Sequence, residues 1–151
     1  MSTGNNVRCL ERVLLSAARL VGHFRKFDHV SSYMHDVLHW LPLPQRIAYR
    51  VLALVWRCLL GLAPAYLREL CRSTQDVQGR RSLRSSVQGE LLVPYARTSI
   101  RQRRAFSVAG PSTWNGLPLH LRLLPKVLTD TFYRNLKTAL FSPGWVGSAS
   151  E

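Results

Sequence analysis

Apolar side chains recur at three- and four-residue intervals along most of this chain, so helices are the expected elements. Over residues 7–27, Leu10, Val13, Ala17, Val21 and Phe24 fall on one face and Arg8, Arg12, Arg19 and Lys26 on the opposite one, which predicts a basic amphipathic helix. Asp28 breaks the pattern. Ser31 or Ser32 then caps a second, short helix carrying Met34, Val37, Leu38 and Trp40. Pro44 suits a first helical turn, and Gly61 suits the left-handed residue that ends a helix. Between them lies the strongest helical signal, with an expected inward stripe of Ile47, Val51, Leu54, Val55 and Cys58, widened by Leu52, Ala53 and Leu59.

Pro64 opens another short helix, residues 65–71, expected to bury Tyr66, Leu67 and Leu70. Residues 72–90 are Ser, Gln, Gly and Arg with few apolar groups, and read as a mobile, disordered basic loop and the natural seam of the chain. Two short apolar runs follow, 91–93 and 105–108, read as an extended pair. Gly110, Pro111, Asn115, Gly116 and Pro118 read as turns around Trp114. Thr129 and Asp130 then start a last helix with Phe132, Leu136 and Leu140 inward. Trp40 and Trp114 are the expected aromatic anchors, and Trp145 is expected outside the core. The predicted fold is therefore mainly α: four or five helices, a short extended or β pair and the basic loop. A single domain over residues 7–141 lies between disordered ends at 1–6 and 142–151.

Charge changes the picture from a plain helical domain to one with a polyanionic partner. Lys and Arg number 21 against 8 Asp and Glu, a net charge of +13, and 18 of the cations are Arg. The local excess is largest at residues 72–104, where Arg72, Arg80, Arg81, Arg84, Arg97, Arg101, Arg103 and Arg104 face only Asp76 and Glu90. Arginine donates two bonds from a planar fork to one oxyanion, and Tyr95 or Phe106 nearby can stack on a base. Arg80, Arg81, Arg84, Arg101, Arg103 and Arg104 are the candidate nucleic-acid-binding residues, for RNA or single-stranded DNA; a solvated loop without a partner is the competing reading. The N-terminal helix admits three readings: a presequence, a helix lying on an anionic membrane, or a helix packed on its own domain.

Sequence signals for catalysis are weak. His35 and His39 stand four apart, as in zinc proteases, but Asp36 replaces the Glu that acts as base and no third ligand stands out. No phosphate loop, nucleophile elbow or Asp-Asp pair occurs in the sequence. No catalytic residue, metal site or cofactor is assigned, and a non-enzymatic protein is expected. The cysteines, Cys9, Cys58 and Cys71, are odd in number and lack metal-ribbon spacing, which fits a reducing compartment, nucleus or cytoplasm, with the mitochondrion as alternative. The run 51–63 is too short and too interrupted by Arg57 to span a bilayer.

Several phrases occur in a fixed order: Leu10-Glu11-Arg12-Val13 with Ala17-Ala18-Arg19-Leu20-Val21, then Leu38-His39-Trp40-Leu41-Pro42 with Arg46-Ile47, then Gly61-Leu62-Ala63-Pro64-Ala65-Tyr66-Leu67. Arg81-Ser82-Leu83-Arg84-Ser85, Arg104-Ala105-Phe106-Ser107, Gly110-Pro111, Trp114-Asn115, Leu117-Pro118, Leu136-Lys137-Thr138 and Leu140-Phe141 complete the series. In order and spacing they resemble the C-terminal region of the reverse-transcriptase polyproteins of non-LTR (LINE-type) retrotransposons. The resemblance covers 132 of the 151 residues, 10–141. It implies a segment downstream of polymerase and endonuclease, in a part of such polyproteins thought to contact template RNA or target DNA. The chain lacks the Ala-Asp-Asp polymerase signature and a zinc knuckle, and has Gln102-Arg103 where a Gly is usual. The functional expectation is a retrotransposon-derived nucleic-acid-binding protein. The alternatives are a translated relic reading frame with no selected function and a membrane-surface or mitochondrial protein led by its N-terminal helix.

Overall fold

Helix α1 (Thr3–Val21) is the first element of the computed structural model, which describes residues 3–76, 88–95 and 104–142. A π-helical turn (Tyr33–Val37) follows, then α2 (Leu43–Leu59), α3 (Ala65–Arg68), a 3-10 turn (Thr74–Asp76), α4 (Phe106–Asn115), α5 (Leu119–Arg122) and α6 (Thr131–Phe141). The mainly helical expectation holds. Of the ends expected to be disordered, 1–6 and 142–151, residues 1–2 and 143–151, Trp145 included, lie outside the described residues, as do most of the expected basic loop, residues 77–87, and residues 96–103, whereas residues 3–6 are not disordered but form the first turn of α1. The chain divides into two compact units, Met1–Ile47 and Ala48–Glu151.

In the first unit α1 stops at Val21 rather than running on to residue 27. The Phe24 N–H donates to the Arg19 carbonyl at 3.0 Å and the His23 N–H to the Leu20 carbonyl at 3.4 Å, the paired bonds of a Schellman stop. His23 takes the left-handed position, φ 54°, that glycine normally holds. The next expected helix is a π-helical turn, in which the Leu38 N–H donates five residues back to the Tyr33 carbonyl at 3.0 Å. Ser32 precedes it without a side-chain capping bond, and His39 leaves it at φ 49°. The unit's core is Ala18, Val30 and Met34, with Leu14, Leu15, Leu38 and Trp40 packed around them.

The second unit is organised by three stacked rings. Trp56 lies against Phe132 at 4.1 Å between ring centres and 9° between planes, and Trp114 stacks beside both at 6.2 and 5.9 Å. All three are fully buried. Trp56 was not in the expected stripe: α2 buries Leu52, Val55, Trp56 and Cys58, while Ile47 is 47% exposed and Val51 and Leu54 are half-buried. A helix apolar round most of its girth does not announce its inner face, and the side chain with most surface to hide sets the rotation. Gly61 ends α2 as expected, at φ 76°, with the Leu62 N–H donating to the Arg57 carbonyl and the Gly61 N–H to that of Cys58.

The structure departs from the sequence expectation at three further places. Tyr66 and Leu70 are exposed and Leu67 half-buried, because α3 is a single turn and has no second turn to build a stripe; Ala63 and Cys71 flanking it are buried instead. Residues 106–108 are not extended: they begin α4, which continues through Gly110 and Pro111 where turns were expected. Pro111 forfeits a helical bond and costs about 3 kcal/mol in a helix interior, but the same turns bury Pro111 and Trp114, and packing outweighs local propensity. The extended partner of Leu91 is Ser73, in an isolated antiparallel bridge. The last helix buries Phe132, Leu136 and Leu140 as expected, with Asp130 rather than Thr129 at its N-cap.

Candidate functional site

The bridge between Ser73 and Leu91 is the element nearest to the predicted basic site, and its geometry follows from a few side chains. The Thr74 N–H donates to the Glu90 carbonyl at 3.1 Å and the Leu92 N–H to that of Arg72 at 2.9 Å. The Thr74 hydroxyl adds a bond to the Glu90 carbonyl at 3.2 Å. On the other side of Leu91, the Asn115 side-chain amide acts as a substitute strand: its Oδ1 accepts from the Leu91 N–H and its Nδ2 donates to the Leu91 carbonyl, both at 2.8 Å. Every buried backbone polar group needs such a partner, and this one side chain supplies two. One residue along α4, Trp114 Nε1 donates to the Gly89 carbonyl at 2.9 Å while its ring stays in the stack. Gly89 sits at φ 67° with the Arg122 carbonyl 3.1 Å from where a Cβ would stand, so a side chain there meets both strain and a clash.

This clamp draws residues 72–76 and 88–92 together, on either side of the segment that carries Arg80, Arg81 and Arg84. Those three, with Arg101 and Arg103, lie outside the described residues. Arg104 alone of the six candidates is described; it is exposed, two residues before α4. Sequence reasoning undervalued the surface of the second unit's helices and turns. Arg50, Arg57, Arg68, Arg72, Lys126, Arg134 and Lys137 are exposed there, against exposed Glu69 and Asp130. The signal was available in the seven-residue spacing of Arg50 and Arg57, which puts both on one side of α2. One cation is different in kind: the Arg122 side chain is 9% exposed and reaches Glu90 Oε1 at 3.4 Å, an ion pair inside the clamp.

The histidine pair gathers no further metal-ligating group. His35 Nδ1 is 2.7 Å from Asp36 Oδ1, a contact between neighbouring exposed side chains, and His39 stands beyond the π-helical turn in the left-handed region. Among the described residues no three His, Cys, Asp or Glu side chains come close enough together to hold a metal ion. Cys58 and Cys71 are buried and hydrogen-bonded to each other, and burial pushes both thiols up, Cys71 to about 12. Such thiols stay protonated and are poor nucleophiles. Among the described residues no helix is long and apolar enough to cross a membrane.

Comparison with known proteins returned no match, whether to a family model, to a curated protein or to a solved structure.

Proposed function

We propose that the chain is a non-enzymatic, retrotransposon-derived basic protein that binds RNA or single-stranded DNA without reading sequence, through Arg80, Arg81, Arg84, Arg101, Arg103 and Arg104. The observation that carries this reading is the uneven surface charge of the second unit, where exposed Arg and Lys far outnumber exposed carboxylates. Cations without nearby carboxylates gain most from a polyanion, because binding phosphates releases condensed counterions. The hydrogen bonds around Leu91 join residues 72–74 to 90–92, which flank Arg80, Arg81 and Arg84 in the sequence, and the order of the sequence phrases motivates the origin.

Titration of the protein with single-stranded RNA at several salt concentrations tests the reading. If about five phosphates are neutralised, log K falls against log salt with a slope of roughly −3.5, and each Arg removed lowers its magnitude by about 0.7. The variant Arg80→Ser/Arg81→Ser/Arg84→Ser is expected to flatten the slope, with its thermal transition measured alongside to separate lost binding from lost folding. Unchanged affinity and slope in that variant would show the site to be elsewhere.

A further inference from the structure

We infer that α1 and the turn after it dock on an anionic lipid bilayer, lying in the headgroup interface rather than crossing it. The face that α1 turns to its own unit is the narrow line of Leu14, Leu15 and Ala18. Of the face expected to be apolar, Leu10 is 56% exposed, Val13 66% and Val21 52%, and Leu20 next to it is 79% exposed. At 100° per residue these four share one flank of the helix, and Arg8, Arg12 and Arg19 share the other. Beyond the Schellman stop Phe24 is 37% exposed, edge-on to Tyr33, and Phe27 is 87% exposed. Arg25 and Lys26 stand beside Phe27, with Lys26 Nζ 5.4 Å from the centre of its ring.

Water is a poor environment for that many exposed apolar side chains on one flank and the turn after it, so they call for a cover. The charge around them selects the cover. Five cations, Arg8, Arg12, Arg19, Arg25 and Lys26, share residues 8–28 with two acids, Glu11 and Asp28, so a second copy of the same face is repelled while an anionic surface is attracted. Asp28 is also engaged within its turn, accepting from the Arg25 N–H at 2.8 Å. An apolar flank for the acyl boundary and a basic flank for the headgroups is the pattern of helices that lie on membranes, and long Arg and Lys stems let the charged ends reach the headgroups. This site and the proposed nucleic-acid-binding set share no residue, so the two can be tested by independent substitutions.

Co-sedimentation with phosphatidylcholine vesicles containing phosphatidylglycerol tests the inference on the full chain. Binding is expected to rise with the phosphatidylglycerol fraction and to weaken with salt. The variant Leu10→Gln/Val13→Gln/Leu20→Gln keeps helix-forming residues at exposed positions, so its circular dichroism and thermal transition should match the parent. It should lose vesicle binding by about tenfold for each large apolar side chain removed, while its RNA affinity stays the same. Arg8→Ser/Arg12→Ser/Arg19→Ser should weaken binding to anionic vesicles and not the residual binding to pure phosphatidylcholine. Three results overturn the inference: no binding to anionic vesicles, equal binding by the glutamine variant, or a concentration-dependent dimer that this variant abolishes in the absence of vesicle binding.

Discussion

Trp56, Trp114 and Asn115 join parts of the second unit that are distant in sequence. The indoles supply buried area and the amide supplies the backbone partners that a neighbouring strand would give. Trp56→Ala and Trp114→Ala should each cost about 3–5 kcal/mol, whereas Tyr66→Ala should stay within about 0.5 kcal/mol; denaturant titration of the three variants checks the ranking. Trp114 was legible in the sequence as a large ring among turn-forming residues. Trp56 was not, because it stands in a run where nearly every neighbour is apolar. The second residue-scale expectation concerns the thiols. Cys9 is exposed, so a thiol reagent should modify it alone in the native protein and reach Cys58 and Cys71 only on unfolding. Both buried thiols hold their protons more tightly folded than unfolded, so the contribution they make is intact below about pH 9 and is lost as pH climbs toward 12. Stability measured across that window should fall less steeply in Cys71→Ala than in the parent.

At the scale of elements, the chain stops its two longest described helices, α1 and α2, in one way with two different residues. Gly61 and His23 both occupy the left-handed position of a Schellman stop, but only glycine does so without a Cβ penalty. Gly61→Ala should therefore destabilise by about 1 kcal/mol and His23→Gly should stabilise by a similar amount, as read from the shift in denaturation midpoint. The Gly61 stop was readable because glycine marks it. The stop after Val21 was hidden, since the amphipathic rhythm continues through Phe24 while the backbone has already turned. Periodicity also misdirected the reading of α4, where Gly110 and Pro111 signal turns to any local rule. Only the distant partners of Trp114, namely Trp56 and Phe132, make a helix there worthwhile, and no local window contains them.

For the molecule as a whole, helical class and excess charge were legible because both are sums over many residues. The clamp at Leu91 was not, since it joins residues as far apart as 73, 91 and 115, and the polar face of a helix carries no mark of what it will bind. The charge has a cost even without a partner: a net of +13 repels itself in the folded state. Raising sodium chloride from low to physiological concentration screens that repulsion, so the thermal transition of the free protein should move upward. The same addition weakens RNA binding, which gives opposite salt responses for fold and complex in one preparation.

The Asn115 clamp also governs how the protein ages. Asn115 is followed by Gly116, the pairing in which a backbone nitrogen most readily attacks the preceding side-chain amide and expels ammonia, forming a cyclic imide that water opens to an aspartate or its isomer. In the fold both reactants are occupied: the amide grips Leu91, and the Gly116 N–H donates to the Ser112 carbonyl at 3.2 Å at the end of α4. Deamidation therefore has to wait for the clamp to open. Once it has happened, the new carboxylate offers no donor to the Leu91 carbonyl, and the damaged chain closes less readily than before. Peptide mapping after long incubation should find the modified residue building up in a destabilised variant such as Trp114→Ala well before it does in the parent, and equal rates in the two would show that the clamp gives Asn115 no protection.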